Sequence, residues 1–283
     1  MEFSRRPIPR VAAIHDLSGF GRCALTVIIP AMSALGLQVC PIPTAILSTH
    51  TGGFEHFTFR DLTEDVSPYF SHWESLPAKM DCVYSGFLGS FEQIALVKEI
   101  FQRSEGAFRV VDPVMGDDGL LYATISPEMG YRMRELCSMA DLITPNLTEC
   151  IYLIDRPYEE RPFSLEELHR CLKELCDLGA KQAVLTGATL EGEILINCAY
   201  DRQTGSFSEA RCKKLATSFP GTGDLFTAVL SGLLLQRVPM QQALEFVTDY
   251  LAQTIALTIK MGTPVREGVA LERTLPLLTK WNT

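Results

Sequence analysis

Positive charge is scarce in this chain: 25 Lys and Arg stand against 34 Asp and Glu, and no basic block occurs. A formal net charge of −9 makes it a poor nucleic-acid binder, because such binding rests on neutralising backbone phosphates. Long apolar runs are missing too. Val27-Ile28-Ile29 stops at Pro30, and Leu233–Leu235 stops at Gln236. Both fall far short of the roughly 20 residues of a membrane helix, so no membrane partner is expected. The opening stretch MEFSRRPIPR is polar, holds two prolines and lacks the apolar core of a signal peptide. Nine cysteines are present, yet none forms a C-x-x-C pair and their number is odd. That argues against a zinc site or a disulfide frame, and predicts reduced, mostly buried thiols in a cytoplasmic protein. A Walker A loop is also absent, since no lysine follows a glycine.

What is present is an alternation of strand and helix signals. Apolar runs of strand length lie at Val11–Ile14, Val39–Leu47, Cys82–Tyr84, Phe108–Val111, Leu142–Ile143, Ala183–Leu185 and Ile194–Cys198. Helical spacing marks Ala24–Leu35, Asp61–Leu76, Phe91–Arg103, Pro127–Met139 and Leu165–Leu178, the last opened by a Ser164/Glu167 capping box. The pattern turns helical from Gly221, through Asp224–Leu235 and Gln241–Lys260 to a short C-terminal helix. Residues 194–211, with Gly205 at a turn, read as a hairpin near a sheet edge. Such alternation predicts an α/β fold: a three-layer αβα sandwich with a mostly parallel central sheet. No linker or repeat divides residues 1–283, so one domain is expected.

In such folds the loops after the strand ends carry the chemistry. The first holds Asp16, Ser18, Gly19, Gly21 and Ala24, which formally satisfy G-x-G-x-x-A. A dinucleotide site also needs an acid about 20 residues on, and residues 17–54 contain none. A neutral wall for a small uncharged substrate fits better. The second loop, Ser48-Thr49-His50-Thr51-Gly52-Gly53, suits a small polar ring. The third places Asp112 directly after a buried strand, where a charge needs a partner or a cation, and adds Asp117 and Asp118 on a glycine-flanked turn. Magnesium in phosphoryl-transfer sites takes one or two carboxylates plus waters and phosphate oxygens. Asn146 is expected to cap the next helix with Glu149 in its first turn, and both could face the same cation.

The strongest motif is Gly221-Thr222-Gly223-Asp224, a glycine-rich turn opening into an apolar helix. Free N–H groups and the helix dipole form an anion site there without any lysine. Asp224 in the same turn can take a proton from an attacking hydroxyl. The dipole is expected to keep it ionised and only weakly basic, which loose phosphoryl-transfer transition states tolerate.

Taken together, these motifs resemble the ribokinase-like superfamily, and within it the vitamin B6 kinases, from about Val11 to Met261. Gly221-Thr222-Gly223-Asp224 is similar to that superfamily's anion hole and catalytic base. Asp112-Pro113-Val114-Met115-Gly116-Asp117 and Thr144-Pro145-Asn146 with Glu149 resemble its nucleotide and magnesium loops. Ser48-Thr49-His50-Thr51-Gly52 resembles the S-N-H-T-G loop of pyridoxal kinases. The resemblance implies transfer of the ATP γ-phosphoryl group to the 5′-hydroxymethyl of pyridoxal, pyridoxine or pyridoxamine. It implies Asp224 as base with Gly221, Thr222 and Gly223 in the anion hole. Asp112, Asn146, Glu149, Thr186 and Gly187 would bind ATP, and Asp112, Asp117 and Glu149 would hold Mg2+. Asp16, Ser18, His50, Thr51 and Phe87 would line the ring pocket. A homodimer and a monovalent cation are further implications, and Lys213 and Lys214 precede the last glycine loop.

The opening segment Ile14-His15-Asp16 followed by Ser18-Gly19-Phe20-Gly21 lacks the Q-S-H of pyridoxal kinases. It is closer to the S-D-x-S-G-G-x-G start of hydroxymethylpyrimidine kinases, which stand as the alternative. A sugar kinase fits less well, since residues 17–54 offer no acids. A catalytically idle vitamin-binding protein is the alternative from another class.

Overall fold

The computed structural model describes residues 8–76, 78–122, 125–159, 161–190 and 193–282, so most of the polar opening stretch, residues 1–7, lies outside the described residues. In chain order, β1 (Arg10–Phe20) leads to α1 (Leu25–Ala34), β2 (Gln38–Thr49), β3 (Phe59–Asp61), α2 (Thr63–Ser75), β4 (Cys82–Ser85) and α3 (Phe91–Arg103). Then come β5 (Phe108–Val111), the small hairpin β6 (Gly116–Asp117) and β7 (Leu120–Leu121), α4 (Pro127–Cys137), β8 (Leu142–Ile143), α5 (Leu147–Leu153) and α6 (Leu165–Asp177). Last are β9 (Gln182–Leu190), β10 (Ile194–Asp201), β11 (Ser206–Lys213), α7 (Thr222–Leu235) and α8 (Met240–Lys260), followed by short 3-10 turns from Val265–Glu267 to Thr279–Trp281.

The described strands form a nine-stranded sheet in the order β11-β10-β9-β8-β5-β4-β1-β2-β3. Pairing is parallel from β2 through β1, β4, β5 and β8 to β9, and antiparallel at both edges. Strand side chains alternate between faces, and β1 shows it. Val11 and Ala13 pack with Ile28 of α1, Val229 of α7 and Leu244 of α8. Ala12 and Ile14 pack with Val97 of α3, Met133 of α4 and Leu172 of α6. These two apolar clusters, one per face, make the three-layer sandwich that the alternation predicts. Strands buried on both faces explain why they read as continuous apolar runs. The β10–β11 hairpin closes one edge of the sheet, as expected.

Two strand ends differ from the sequence reading. β1 does not stop at Asp16 but runs on to Phe20, because β2 stays paired with it as far as Phe20 opposite Thr49. A register shift between His15 and Leu17 interrupts that ladder, so Asp16 sits at an irregularity inside a strand. β9 likewise continues past Leu185 to Leu190, held by antiparallel pairing of Leu190 with Ile194. Thr186 and Gly187 therefore lie within a strand and not after it.

All nine cysteines are free thiols, six of them buried and Cys23, Cys40 and Cys212 half-buried. No described helix is long and apolar enough to cross a membrane.

Candidate active site

The site gathers at the carboxyl ends of β1, β2, β5 and β8, facing the start of α7. Gly221 is the N-cap of α7 with φ of 79°. A Cβ there would come within 2.2 Å of the Arg22 carbonyl oxygen, so only glycine fits. Thr222 turns its hydroxyl back to the Phe219 carbonyl at 2.9 Å. The N–H groups of Gly223 and Asp224 bond to no acceptor among the described residues, as the unpaired first turn of a helix requires. An oxyanion can be met here by backbone dipoles alone.

Asp224 is half-buried, and its Oδ2 accepts from the Ala24 N–H at 2.8 Å and from the Cys23 thiol at 3.6 Å. Burial raises its pKa above the ordinary carboxylate range, only partly offset by those two donors. Burial thus works against the weakly basic state expected from the helix dipole.

Three more carboxylates converge near it, each at most 7% exposed. Asp16 accepts from the Ser18 hydroxyl at 2.8 Å, and burial pushes its pKa up to about 6, with the Asp224 charge adding to the rise. Asp112 follows β5; Thr227 of α7 donates to its Oδ2 at 3.3 Å and pairs with the Thr144 hydroxyl at 2.8 Å. Burial, then the charge of Asp224, raises the Asp112 pKa well above normal. Glu149 is also raised, by burial and then by Asp112.

Asn146 and Glu149 form the anticipated cap in full. Asn146 Oδ1 accepts from the Glu149 N–H, and Glu149 Oε2 accepts from the Asn146 N–H, both at 2.9 Å. Each also reaches the loop after β5: Glu149 Oε1 accepts from the Met115 N–H at 3.1 Å, and Asn146 Nδ2 donates to the Gly116 carbonyl at 2.8 Å. Asp117 is exposed on the β6–β7 hairpin, where it accepts from the Asp118 N–H. No group of three or more His, Cys, Asp or Glu side chains among the described residues is arranged to hold a metal.

His50 is buried with both ring nitrogens engaged. Nδ1 accepts from the Gly52 N–H at 3.1 Å, which leaves Nε2 to donate to the Arg266 carbonyl at 2.7 Å. Its ring meets Phe54 edge-on at 5.0 Å. Thr51 is exposed, while Phe87 is half-buried and packs on the α3 side of the sheet. Thr186 donates its N–H to the Pro145 carbonyl, and the Gly187 N–H is taken by Asn197 Oδ1 at 2.8 Å. Lys214 reaches the Thr189 hydroxyl.

Sequence reasoning missed the Cys23–Ala24 contact to Asp224 and the Thr144–Thr227 pair beneath Asp112. Ala24 adopts φ of 48° and ψ of −130°, a conformation no local signal foretells for alanine.

A glycine-capped helix opening beside a half-buried carboxylate, set on a mostly parallel sheet with helices on both faces, is the arrangement of a ribokinase-like kinase. The chain belongs to the phosphomethylpyrimidine kinase family, whose match spans residues 18–268. It is 40% identical to a chain from Bacteroides thetaiotaomicron assigned to the phosphomethylpyrimidine kinases and crystallised in a form with pyridoxal; the match covers 96% of each chain with a TM-score of 0.91. A pyridoxal kinase from Lactobacillus plantarum superposes with a TM-score of 0.89 at 30% identity, over 97% of this chain and 98% of its own. The hydroxymethylpyrimidine/phosphomethylpyrimidine kinase of Aquifex aeolicus is 27% identical over 191 residues, 67% of this chain and 72% of its own.

Proposed function

We propose that this chain transfers the γ-phosphoryl group of ATP to the 5′-hydroxymethyl of pyridoxal, pyridoxine or pyridoxamine. The observation that carries the reading is Asp224: a carboxylate with raised pKa, one oxygen tied to Ala24, at the mouth of an unpaired helix turn. The likeness to a chain crystallised with pyridoxal supports the substrate class. In the reaction the hydroxyl oxygen of the vitamer forms the new P–O bond, and the bond between the γ-phosphorus and the bridging oxygen of ADP breaks. The hydroxyl proton passes to Asp224 Oδ1, and the N–H groups of Gly223 and Asp224 hold the phosphoryl oxygens in flight.

Asp112 and Glu149 are buried carboxylates that form no ion pair among the described residues, and burial raises the pKa of each, with Asp224 adding to the rise at Asp112 and Asp112 adding to it at Glu149. That donor set fits a divalent cation arriving with the nucleotide, which supplies charge neutralisation to the polyphosphate. In this reading Asp112 and Glu149 hold Mg2+ with Asp117 at its outer side, and Asn146, Thr186 and Gly187 border the nucleotide. Asp16, Ser18, His50, Thr51 and Phe87 enclose the ring. The bonds of His50 make it a fixed wall of neutral tautomer for that ring. The whole chain acts as one kinase domain. A homodimer and a monovalent-cation requirement belong to the same proposal on the strength of the resemblance, and nine free thiols support a cytoplasmic setting.

The test is product formation by the purified chain with Mg-ATP against the three vitamers, hydroxymethylpyrimidine and ribose. Phosphorylated vitamer is expected, and Asp224→Asn should lower kcat by about 10²–10⁴-fold, the usual contribution of a general base. Product from the pyrimidine alone sinks the vitamer assignment in favour of the thiamine-precursor reading. Binding without turnover identifies a vitamin-binding protein.

A further inference from the structure

The segment that holds Asp224 is itself held from much later in the chain. Arg22 donates its backbone N–H to the Glu267 carbonyl at 3.1 Å, and its Nη1 donates to the same oxygen at 3.1 Å. Its Nε donates to Glu272 Oε1 at 2.7 Å. The adjacent carbonyl, Arg266 O, is the one that accepts from His50. Two consecutive carbonyls of one short turn thus tie down the loops that follow β1 and β2.

The Arg22 peptide is also wedged. Gly221 lies on one side, and Gly268, with φ of 74°, lies on the other; a Cβ on Gly268 would come within 2.6 Å of the Arg22 carbonyl oxygen. Two residues on, Ala24 presents its N–H to Asp224 from a positive-φ backbone conformation that persists only where its surroundings over-determine it. Arg22 is tied to Glu267 through both its backbone and its side chain. Its pair with Glu272 is exposed, and surface pairs contribute little. The Nη1 bond to the Glu267 carbonyl is the part of the hold on this turn that the Arg22 side chain supplies.

We propose that Arg22 is a positioning residue for Asp224: anchored on the Val265–Glu267 turn, it holds Ala24 strained so that Oδ2 is pinned and Oδ1 alone faces the acceptor hydroxyl. Among the described residues no hydrogen bond reaches Oδ1, and both donors, Cys23 and Ala24, converge on Oδ2. The inference rests on Asp224 being the base, and its test separates the two.

The test is a double-mutant cycle in steady-state kinetics. Arg22→Ala is expected to lower kcat about tenfold with both KM values within about twofold, because small misplacement of a reacting group costs up to about 10²-fold. In the Asp224→Asn background the same change is expected to cost less than about twofold, since the position of an absent base no longer matters. Arg22→Lys, which keeps the charge and loses the fork, is the second variant should Arg22→Ala fail to fold, and the same non-additivity is expected of it. Equal losses in the two backgrounds, or an effect confined to KM, overturn the positioning role while leaving the base in place. Near-normal kcat in Asp224→Asn alone overturns the base assignment and the inference with it.

Discussion

Asp16 is the acid whose ionisation is most open to experiment, being buried with the Ser18 hydroxyl bonded to its side chain and with Asp224 close enough to repel it. Its folded pKa of about 6 lies above the 3.8 of an unperturbed Asp, so the folded state binds the proton more tightly. The stability this contributes is full below about pH 4 and is lost as pH rises through about 6. Asp16→Asn is therefore expected to stabilise the protein at pH 8 by roughly 1–3 kcal/mol and to change little at pH 4. Urea unfolding at the two pH values checks this; equal effects at both would remove the burial argument. At this scale the candidate site residues were visible because each stands out against its local sequence pattern. Asp112 ends an apolar strand, Asn146 and Glu149 have capping spacing, and Asp224 stands in a glycine turn. Cys23 and Ala24 were not legible. Their role depends on a contact to a residue about two hundred positions away and on a backbone angle that alanine rarely takes.

Elements were legible where local chemistry closes them. α3 runs over the predicted Phe91–Arg103, with Ser90 capping its first turn at Gln93. The ends of β1 and β9 were not, because strand length depends on what the neighbouring strand does. α5 has only seven residues, too few for a periodicity to show. The β6–β7 hairpin did carry a signal, the Asp118-Gly119 turn, which read as acidic loop. α5 is the element on which nucleotide binding depends most in the proposed function, since its capping box also fastens the loop after β5. Asn146→Ala removes the cap and the bond to Gly116 together. Loss of a cap costs about 1 kcal/mol, and the second bond about as much again. The expected outcome is a destabilisation of about 1–2 kcal/mol in denaturant, with a several-fold higher KM for ATP and an unchanged KM for the vitamer. A rise in the vitamer KM instead would place Asn146 with the ring pocket.

For the whole molecule, the layered architecture followed from alternation alone, while the layout of charge did not follow from the net charge of −9. Four acids, Asp16, Asp112, Glu149 and Asp224, have raised pKa values within one site. Burial of these carboxylates, with repulsion adding to it at Asp16, Asp112 and Glu149, makes the free protein less stable than its core allows. Ligand should relieve it: Mg2+ with ADP at about a hundred times its dissociation constant is expected to add about 2.7 kcal/mol. In a chain of this size that is a rise in Tm of about 5 °C by thermal denaturation, reversed by a chelator. An unchanged Tm would take the nucleotide away from these acids.

The turn at Val265–Glu267 also sets an order of events during synthesis. Every strand of the sheet ends by Lys213, so the growing chain can complete the sheet and the apolar face under α3, α4 and α6 while residues 265–272, which add Val269 and Leu271 to the other face, have still to be made. Until they arrive, Arg22 and His50 lack the Glu267 and Arg266 carbonyls that hold them in the finished fold. A sheet with one covered face can therefore form before the loops after β1 and β2 are tied down.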